Sequence, residues 1–123
     1  KTVASMQPHL FFDARGTDSA HFAAMRDARA RLAFGSDASI TDFNPLYGIY
    51  AAVYQGNSAR KTFSVEEALR AYTVGSAYAE FQEDAKGTIA VGKLADFVVL
   101  SDDIFSIEPA EIRRVKVLRT VMD

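Results

Sequence analysis

Cysteine and tryptophan are absent from this chain of 123 residues, and histidine occurs only twice. Without cysteine, the chain has no disulfide bond, no thiolate nucleophile and no zinc site built on sulfur ligands. No apolar run approaches the roughly 20 residues that a membrane-spanning helix needs, and no signal-peptide pattern is present. Positive charge is not in excess, since the formal net charge is −2. These absences make nucleic acid and membranes unexpected partners and predict a cytoplasmic protein.

Apolar residues are plentiful, at 49% of the chain, which suffices for a packed core and argues against disorder. The length fits one domain or a piece of a longer protein. Residues 2–6 and 115–123 resemble strands, whereas domains usually begin and end in exposed polar linkers. The sequence therefore predicts a piece cut from something larger.

The first third of the chain predicts a parallel strand–helix–strand unit, because two short apolar segments flank an amphipathic one. Two strands do not make a sheet, so this unit is expected to leave open strand edges. The predicted elements are a strand at 2–7, a loop at 8–17, a helix from Asp18 or Ser19 to residue 30, and a strand at 32–36.

Two helix starts are marked by capping residues. Asn44 followed by Pro45 is a capping Asn before a proline in the first helical position. Ser64 and Glu67 have the spacing of a capping box. After residue 84 the chain becomes rich in β-forming residues, and a boundary is predicted there. The remaining predicted elements are helices at 46–54, 64–72 and 76–81 and strands at 88–91, 96–100 and 115–121.

Residues 32–37, Leu-Ala-Phe-Gly-Ser-Asp, predict a buried strand that delivers Asp37 to the end of a sheet, where α/β enzymes collect their chemistry. One carboxylate makes neither a metal site nor an acid–base pair. His9, His21 and Asp13 lie near one loop, but their irregular spacing predicts no preformed zinc geometry. Ser36 has no visible histidine to activate it, so a hydroxyl bonded to the backbone is expected there.

Three stretches resemble the amidohydrolase superfamily. They are Phe-Gly-Ser-Asp at 34–37, Ser-Val-Glu-Glu-Ala-Leu-Arg-Ala-Tyr-Thr at 64–73 and the run at 86–100 that contains Gly-Lys-Leu-Ala-Asp. The opening Val-Ala-Ser-Met-Gln-Pro-His at 3–9 resembles the branch called amidohydrolase family 3, which groups predicted metal-dependent hydrolases. The resemblance covers essentially the whole chain, in order.

The resemblance implies an α/β fold: the C-terminal part of a (β/α)₈ TIM barrel together with C-terminal strands of a small β-sandwich. Residues 1–84 would hold the seventh and eighth barrel strands with their helices, and residues 85–123 would form the C-terminal part of the β-sandwich. In this superfamily the Asp that ends the eighth strand lies at the metal centre and accepts the proton of the attacking water. Asp37 matches that position, as catalytic residue and at the metal, and His9 is expected near the substrate.

The family's other metal ligands, a His-x-His pair and further His residues and often a Lys, match no position of this chain. The resemblance thus implies a fragment of a hydrolase that cleaves amide or cyclic amide C–N bonds of small molecules with a metal-activated water. A divalent metal, zinc foremost, is expected in the parent enzyme and none in the isolated chain. The isolated chain is expected to be inactive and to self-associate through open strand edges. The alternative is a non-catalytic α/β scaffold or assembly module.

Overall fold

The computed structural model describes residues 2–13, 19–54 and 63–123, with the backbone alone for residues 11–13 and 19–21. The helices and strands are β1 (Val3–Met6), α1 (Pro8–Asp13), α2 (Ser19–Asp27), β2 (Arg31–Phe34), α3 (Pro45–Val53), α4 (Val65–Arg70), α5 (Ser76–Ala79), β3 (Phe97–Leu100) and β4 (Val117–Val121). A π-helical turn, Ala71–Gly75, joins α4 to α5, and a 3₁₀ helix spans Pro109–Arg114.

The predicted parallel unit is confirmed. Strands β1 and β2 pair in parallel from Val3 opposite Arg31 to Met6 opposite Phe34, with α2 between them in the chain. The Gly35 N–H donates to the Met6 carbonyl at 3.1 Å, which carries the pairing one residue past β2. The strand therefore ends earlier than the sequence predicted, and Ser36 and Asp37 belong to the loop that follows.

Residues 8–13 form helix α1, so the prediction of a loop there is wrong. Pro8 stands at the first helical position, where its missing N–H removes no intrahelical hydrogen bond. The helix packs against α3 and begins two residues after β1 ends. The rest of the predicted loop, from residue 14 to residue 17, lies outside the described residues.

Both predicted helix caps are confirmed. The Asn44 side chain accepts a hydrogen bond from the Leu46 N–H at 3.0 Å, and Pro45 follows it at the start of α3. At α4 the Ser64 hydroxyl accepts from the Glu67 N–H at 3.1 Å, while the Glu67 carboxylate accepts from the Ser64 N–H at 2.7 Å. Each cap satisfies backbone donors that have no partner within the helix.

The helix predicted at residues 76–81 is shorter, because α5 ends at Ala79 and Phe81 adopts a positive φ of 61°. The Ser76 hydroxyl donates to the Phe34 carbonyl at 3.0 Å, and thereby ties the start of α5 to the last residue of β2. The backbone of Leu32 lies so close to Gly75 that a Cβ there would meet its carbonyl oxygen at 2.0 Å. This helical segment is thus fixed directly against β2.

Strands β3 and β4 pair antiparallel, with a bulge between Val99 and Leu100. They confirm two of the three strands predicted after residue 84. The strand predicted at 88–91 is wrong: these residues lie outside any strand, and Ile89 and Val91 are exposed. The chain turns at Gly92, which has a φ of 88°.

A cluster of buried side chains connects β1, β2, α2, α3 and α4 with the π-helical turn and the 3₁₀ helix. Its aromatic centre is formed by Phe22, Phe34 and Phe63, whose rings meet edge to face with centroids 5.5–6.2 Å apart. Ile112 of the 3₁₀ helix joins the same cluster and is fully buried. The architecture is a small mixed α/β arrangement. Among the described residues, no helix has the length and apolar character needed to cross a membrane.

Candidate functional site

The segment that follows β2, residues 35–44, is named the Asp37 loop. Asp37 is exposed and has a φ of 58°, a left-handed conformation that Asp and Asn adopt more readily than most residues. Its carbonyl accepts from the Ile40 N–H at 2.8 Å. Within the part of the chain that the structure describes, the Asp37 carboxylate has no hydrogen-bond donor and no cation beside it. It is therefore open to an incoming group.

Hydrogen bonds inside the Asp37 loop hold its shape. The Ser36 hydroxyl accepts from the Ala38 N–H at 3.3 Å, which agrees with the expectation that this serine bonds to the backbone. The Ser36 carbonyl in turn accepts from the Thr41 hydroxyl. Near the end of the loop, the Asp42 carboxylate accepts from the Asn44 N–H at 2.9 Å. These hydrogen bonds fix the backbone conformation of the loop.

His9 lies in the first turn of α1 and is 1% exposed. Its Nε2 bonds the carbonyl oxygen of Asn44, the last residue of the Asp37 loop, at 3.2 Å. A carbonyl only accepts, so this nitrogen carries the proton. The ring of Tyr47 packs against the imidazole, with centroids 5.2 Å apart. Helix α1, which the sequence did not predict, therefore places His9 inside the structure at the end of the loop.

A cavity of about 650 Å³ opens beside the Asp37 loop. Its wall combines the rings of His9 and Tyr47 with the five consecutive loop residues 39–43. Asp37 is not part of this wall, although Ser39 and Ile40, which follow it by two and three residues, are part of it. The structure thus brings the two predicted site residues to one region, His9 in the cavity wall and Asp37 at the other end of the loop.

The donors for a metal ion are incomplete within the described residues, where no three His, Asp or Glu side chains come together. Asp37 offers one carboxylate there. The side chains of Asp13 and His21, the other residues considered for zinc, are not among those that the structure describes. The described residues by themselves do not fit a metal ion.

Beneath the cavity, Tyr72 and Gly48 form a contact that the sequence analysis missed. A Cβ on Gly48 would meet the Tyr72 Oη at 1.8 Å and the His9 Cε1 at 2.7 Å. The buried Tyr72 Oη has no hydrogen-bond partner among the described residues, and burial raises the pKa of this phenol well above its usual range. A glycine within an apolar helix pattern is the signal that could have indicated this close approach.

Comparison with known proteins gives one family across the chain. A model of the amidohydrolase family matches residues 2–123. The Bacillus subtilis protein YtcJ, which is named as an amidohydrolase, is 39% identical over 72% of this chain and 18% of its own length. The N-substituted formamide deformylase of Arthrobacter pascens is 31% identical over 81% of this chain and 20% of its own.

Two further relatives agree in extent. The protein LONG AFTER FAR-RED 3 of Arabidopsis thaliana is 36% identical over 80% of this chain and 20% of its own length. The crystal structure of an uncharacterized metal-dependent hydrolase from Pyrococcus furiosus superposes with a TM-score of 0.62 at 29% identity, over 76% of this chain and 22% of that one. The chain therefore spans about a fifth of the length of the relatives it matches.

Proposed function

Because this chain belongs to the amidohydrolase family, we propose that it forms one part of a metal-dependent hydrolase whose proton-accepting carboxylate is Asp37. The observation that carries the proposal is the position of that side chain. It is exposed just beyond the carboxyl end of the parallel strand β2, in a shaped loop beside a cavity. Enzymes with parallel strands place their chemistry at this end.

The proposed reaction is hydrolysis of a C–N bond in an amide or cyclic amide. Water attacks the carbonyl carbon, and the Asp37 carboxylate takes a proton from that water as the C–O bond forms. The same proton then passes to the nitrogen as the C–N bond breaks, so the carboxylate is restored at the end of the cycle. The name of the Arthrobacter pascens relative, a deformylase of N-substituted formamides, supports this bond type.

We propose a divalent metal, zinc foremost, for the whole enzyme, since the solved relative from Pyrococcus furiosus is described as a metal-dependent hydrolase. When bound, such an ion makes water more acidic and polarises a carbonyl. Most of its donors must come from outside the described residues, because these residues form no cluster of three donors. Asp37 would contribute a carboxylate at the edge of that site.

The cavity beside the Asp37 loop is the proposed place for the substrate, a small molecule. His9 and Tyr47 provide the aromatic part of its wall, and the loop residues 39–43 provide the rest. His9 is almost fully buried, so its contact with the substrate is limited to the small part of the residue in the cavity wall. Its Nε2 remains engaged with Asn44. His9 is thus a wall residue for substrate binding in this proposal.

We further propose that the chain completes a larger fold. The parallel pair β1–β2 would be the last two strands of a (β/α)₈ barrel, with residues 85–123 contributing strands to a small β-sandwich. The parallel pairing and the match to about a fifth of each relative support this arrangement. On this account the isolated chain is inactive, because most metal donors and barrel strands are missing from it.

An activity assay on the full-length protein tests the proposal. The purified protein is incubated with N-substituted formamides, linear amides and cyclic amides, with and without a chelator, and amine release is measured. We expect metal-dependent turnover of at least one class, restored by adding back zinc. A protein that takes up no metal and cleaves none of these substrates would instead favour the alternative, a non-catalytic scaffold.

A further inference from the structure

The Asp37 loop is fastened at both ends to one continuous piece of chain, β1 followed by α1. At the start of the loop the Gly35 N–H donates to the Met6 carbonyl of β1 at 3.1 Å. At its end the Asn44 carbonyl accepts from His9 Nε2 of α1 at 3.2 Å. Met6 and His9 are three positions apart in the sequence. The distance between the two fastened ends of the loop is therefore set by the short segment from the end of β1 to the first turn of α1.

Asn44 is the junction through which the second fastening acts. Its N–H donates to the Asp42 carboxylate at 2.9 Å, and its side-chain oxygen accepts from the Leu46 N–H at 3.0 Å. Its carbonyl accepts from His9 and, more weakly, from the Gly48 N–H at 3.4 Å. One residue thus joins the loop, the first turn of α3 and helix α1. A change at His9 is transmitted to both the loop and the helix.

The imidazole has little room to move. The Tyr47 ring packs on it, and the missing side chain of Gly48 leaves the space that the imidazole and the Tyr72 Oη fill. A buried ring held by neighbours loses less conformational entropy when it makes its hydrogen bond than an exposed one does. The His9–Asn44 bond is therefore a preorganised contact rather than a chance surface one.

We propose that His9 is a positioning residue that fixes the loop carrying Asp37 by donating a hydrogen bond from Nε2 to the Asn44 carbonyl. This inference rests on the proposed function for its catalytic consequence. Its structural consequence, that the hydrogen bond holds residues 35–44 in one conformation, does not depend on the proposed function. A misplacement of about 1 Å at a reacting group can cost roughly a hundredfold in rate, so the contact is relevant to turnover.

The test uses the full-length protein with His9→Gln and His9→Phe. A glutamine amide nitrogen reaches the position of the imidazole Nε2, whereas phenylalanine keeps the ring and its packing on Tyr47 but has no donor. Ser64→Ala is the control, because the hydrogen bond that it removes lies within the cap of α4. Amide hydrogen exchange of peptides covering 35–44 is measured together with kcat, KM and metal content.

We expect His9→Phe to speed exchange in the Asp37 loop by about tenfold, the loss of one hydrogen bond worth about 1.4 kcal/mol. Its kcat should fall by roughly ten- to a hundredfold. Its KM should stay nearly unchanged, because the phenyl ring keeps the aromatic wall of the cavity. His9→Gln should return the exchange rate to near wild type and recover most of the lost kcat, while its KM rises because the aromatic wall is lost. Ser64→Ala should change neither the exchange rate nor kcat. Should His9→Phe not fold, His9→Asn replaces it, because its shorter amide falls short of Asn44.

The proposal is overturned if amide exchange in the Asp37 loop is as slow in the donor-free variant as in the wild type, whatever the activity of that variant. The proposal is also overturned if exchange in His9→Gln is as fast as in the donor-free variant, because the hydrogen-bond donor would then be irrelevant. A loosened loop with unchanged kcat contradicts the positioning role while leaving the proposed hydrolase intact. If the wild-type protein shows no turnover, the proposed function is rejected. The exchange measurement then tests only whether the His9–Asn44 hydrogen bond fixes the loop.

Discussion

At the scale of single residues, the packing beneath the Asp37 loop depends on Gly48. This glycine is buried within α3, and its Cα faces the Tyr72 Oη and the His9 imidazole without a side chain between them. Alanine is normally the better helix former, by about 1 kcal/mol. The close contacts reverse that preference at this position, so the residue type is dictated by packing.

We predict that Gly48→Ala destabilises the protein by about 1–3 kcal/mol, because its Cβ would overlap the Tyr72 Oη and the His9 Cε1 unless these side chains shift. The measurement is the midpoint of thermal unfolding of the full-length protein. Gly35→Ala is the matched control, since a Cβ there meets no atom within 4 Å. Equal midpoints for the two variants would contradict the close approach of Tyr72 and His9.

Tyr72 gives a prediction about pH. Burial raises the pKa of its phenol in the folded protein, whereas the unfolded chain releases the proton near the ordinary value of about 10. The unfolded state therefore binds fewer protons above that pH, and stability falls as the pH rises further. We expect Tyr72→Phe to lose less stability than wild type between roughly pH 9 and pH 11 in chemical denaturation. Parallel pH curves for the two proteins would contradict the burial.

At the scale of helices and strands, features encoded by neighbouring residues were predictable. The caps at Asn44 and Ser64 appear where the sequence places them, because each needs side chains only two or three positions apart. No local pattern predicts helix α1, because a proline after an apolar segment is typical of the end of a strand and also suits the first position of a helix. The His9–Asn44 bond spans 35 positions, which no local pattern reveals.

The error at residues 88–91 has a similar origin. Their β-forming composition satisfies local propensity, but a strand also needs a partner, and β3 pairs with β4 instead. The place of Asp37 just after β2 was predictable, because an apolar run that stops at Gly-Ser-Asp is a local pattern. Its left-handed backbone and its distance from the cavity wall depend on the turn at residues 38–40 and the bonds within the loop. Those are properties of the folded loop.

The capping box of α4 carries a prediction at this scale. Ser64→Ala removes the acceptor for the Glu67 N–H and should cost about 1 kcal/mol of stability. Glu66→Gln, one position from the box partner on the same first turn, is the control and should change stability by much less. The measurement is the denaturant midpoint of each variant. If the denaturant midpoint of Ser64→Ala shifts no more than that of Glu66→Gln, the capping box does not stabilise the protein.

At the scale of the whole chain, the described strands form two separate pairs. The β3–β4 pair leaves apolar side chains exposed: Phe97, Val98, Val99, Val117 and Leu118. Open strand edges with exposed apolar residues favour pairing with another chain. In the full-length protein we propose that further strands cover them.

We therefore predict that the isolated chain of residues 1–123 associates as its concentration rises, measured by light scattering after size exclusion. Val98→Lys should reduce this association, because a charge on the strand disfavours pairing. Ala79→Lys, an exposed helix position, is the control with the same added charge. An isolated chain that stays monomeric at every concentration would contradict the open edges.

The account depends most on Asp37 as the group that accepts the proton of the attacking water. The direct measurement is kcat/KM of Asp37→Asn in the full-length, metal-loaded protein, with Asp84→Asn as a control at an exposed carboxylate. Asparagine tolerates the same backbone conformation and keeps an oxygen at the position, but it cannot act as the base. We predict a loss of about a hundredfold to ten-thousandfold for Asp37→Asn and an unchanged value for the control. Activity of Asp37→Asn equal to that of the control would contradict the account.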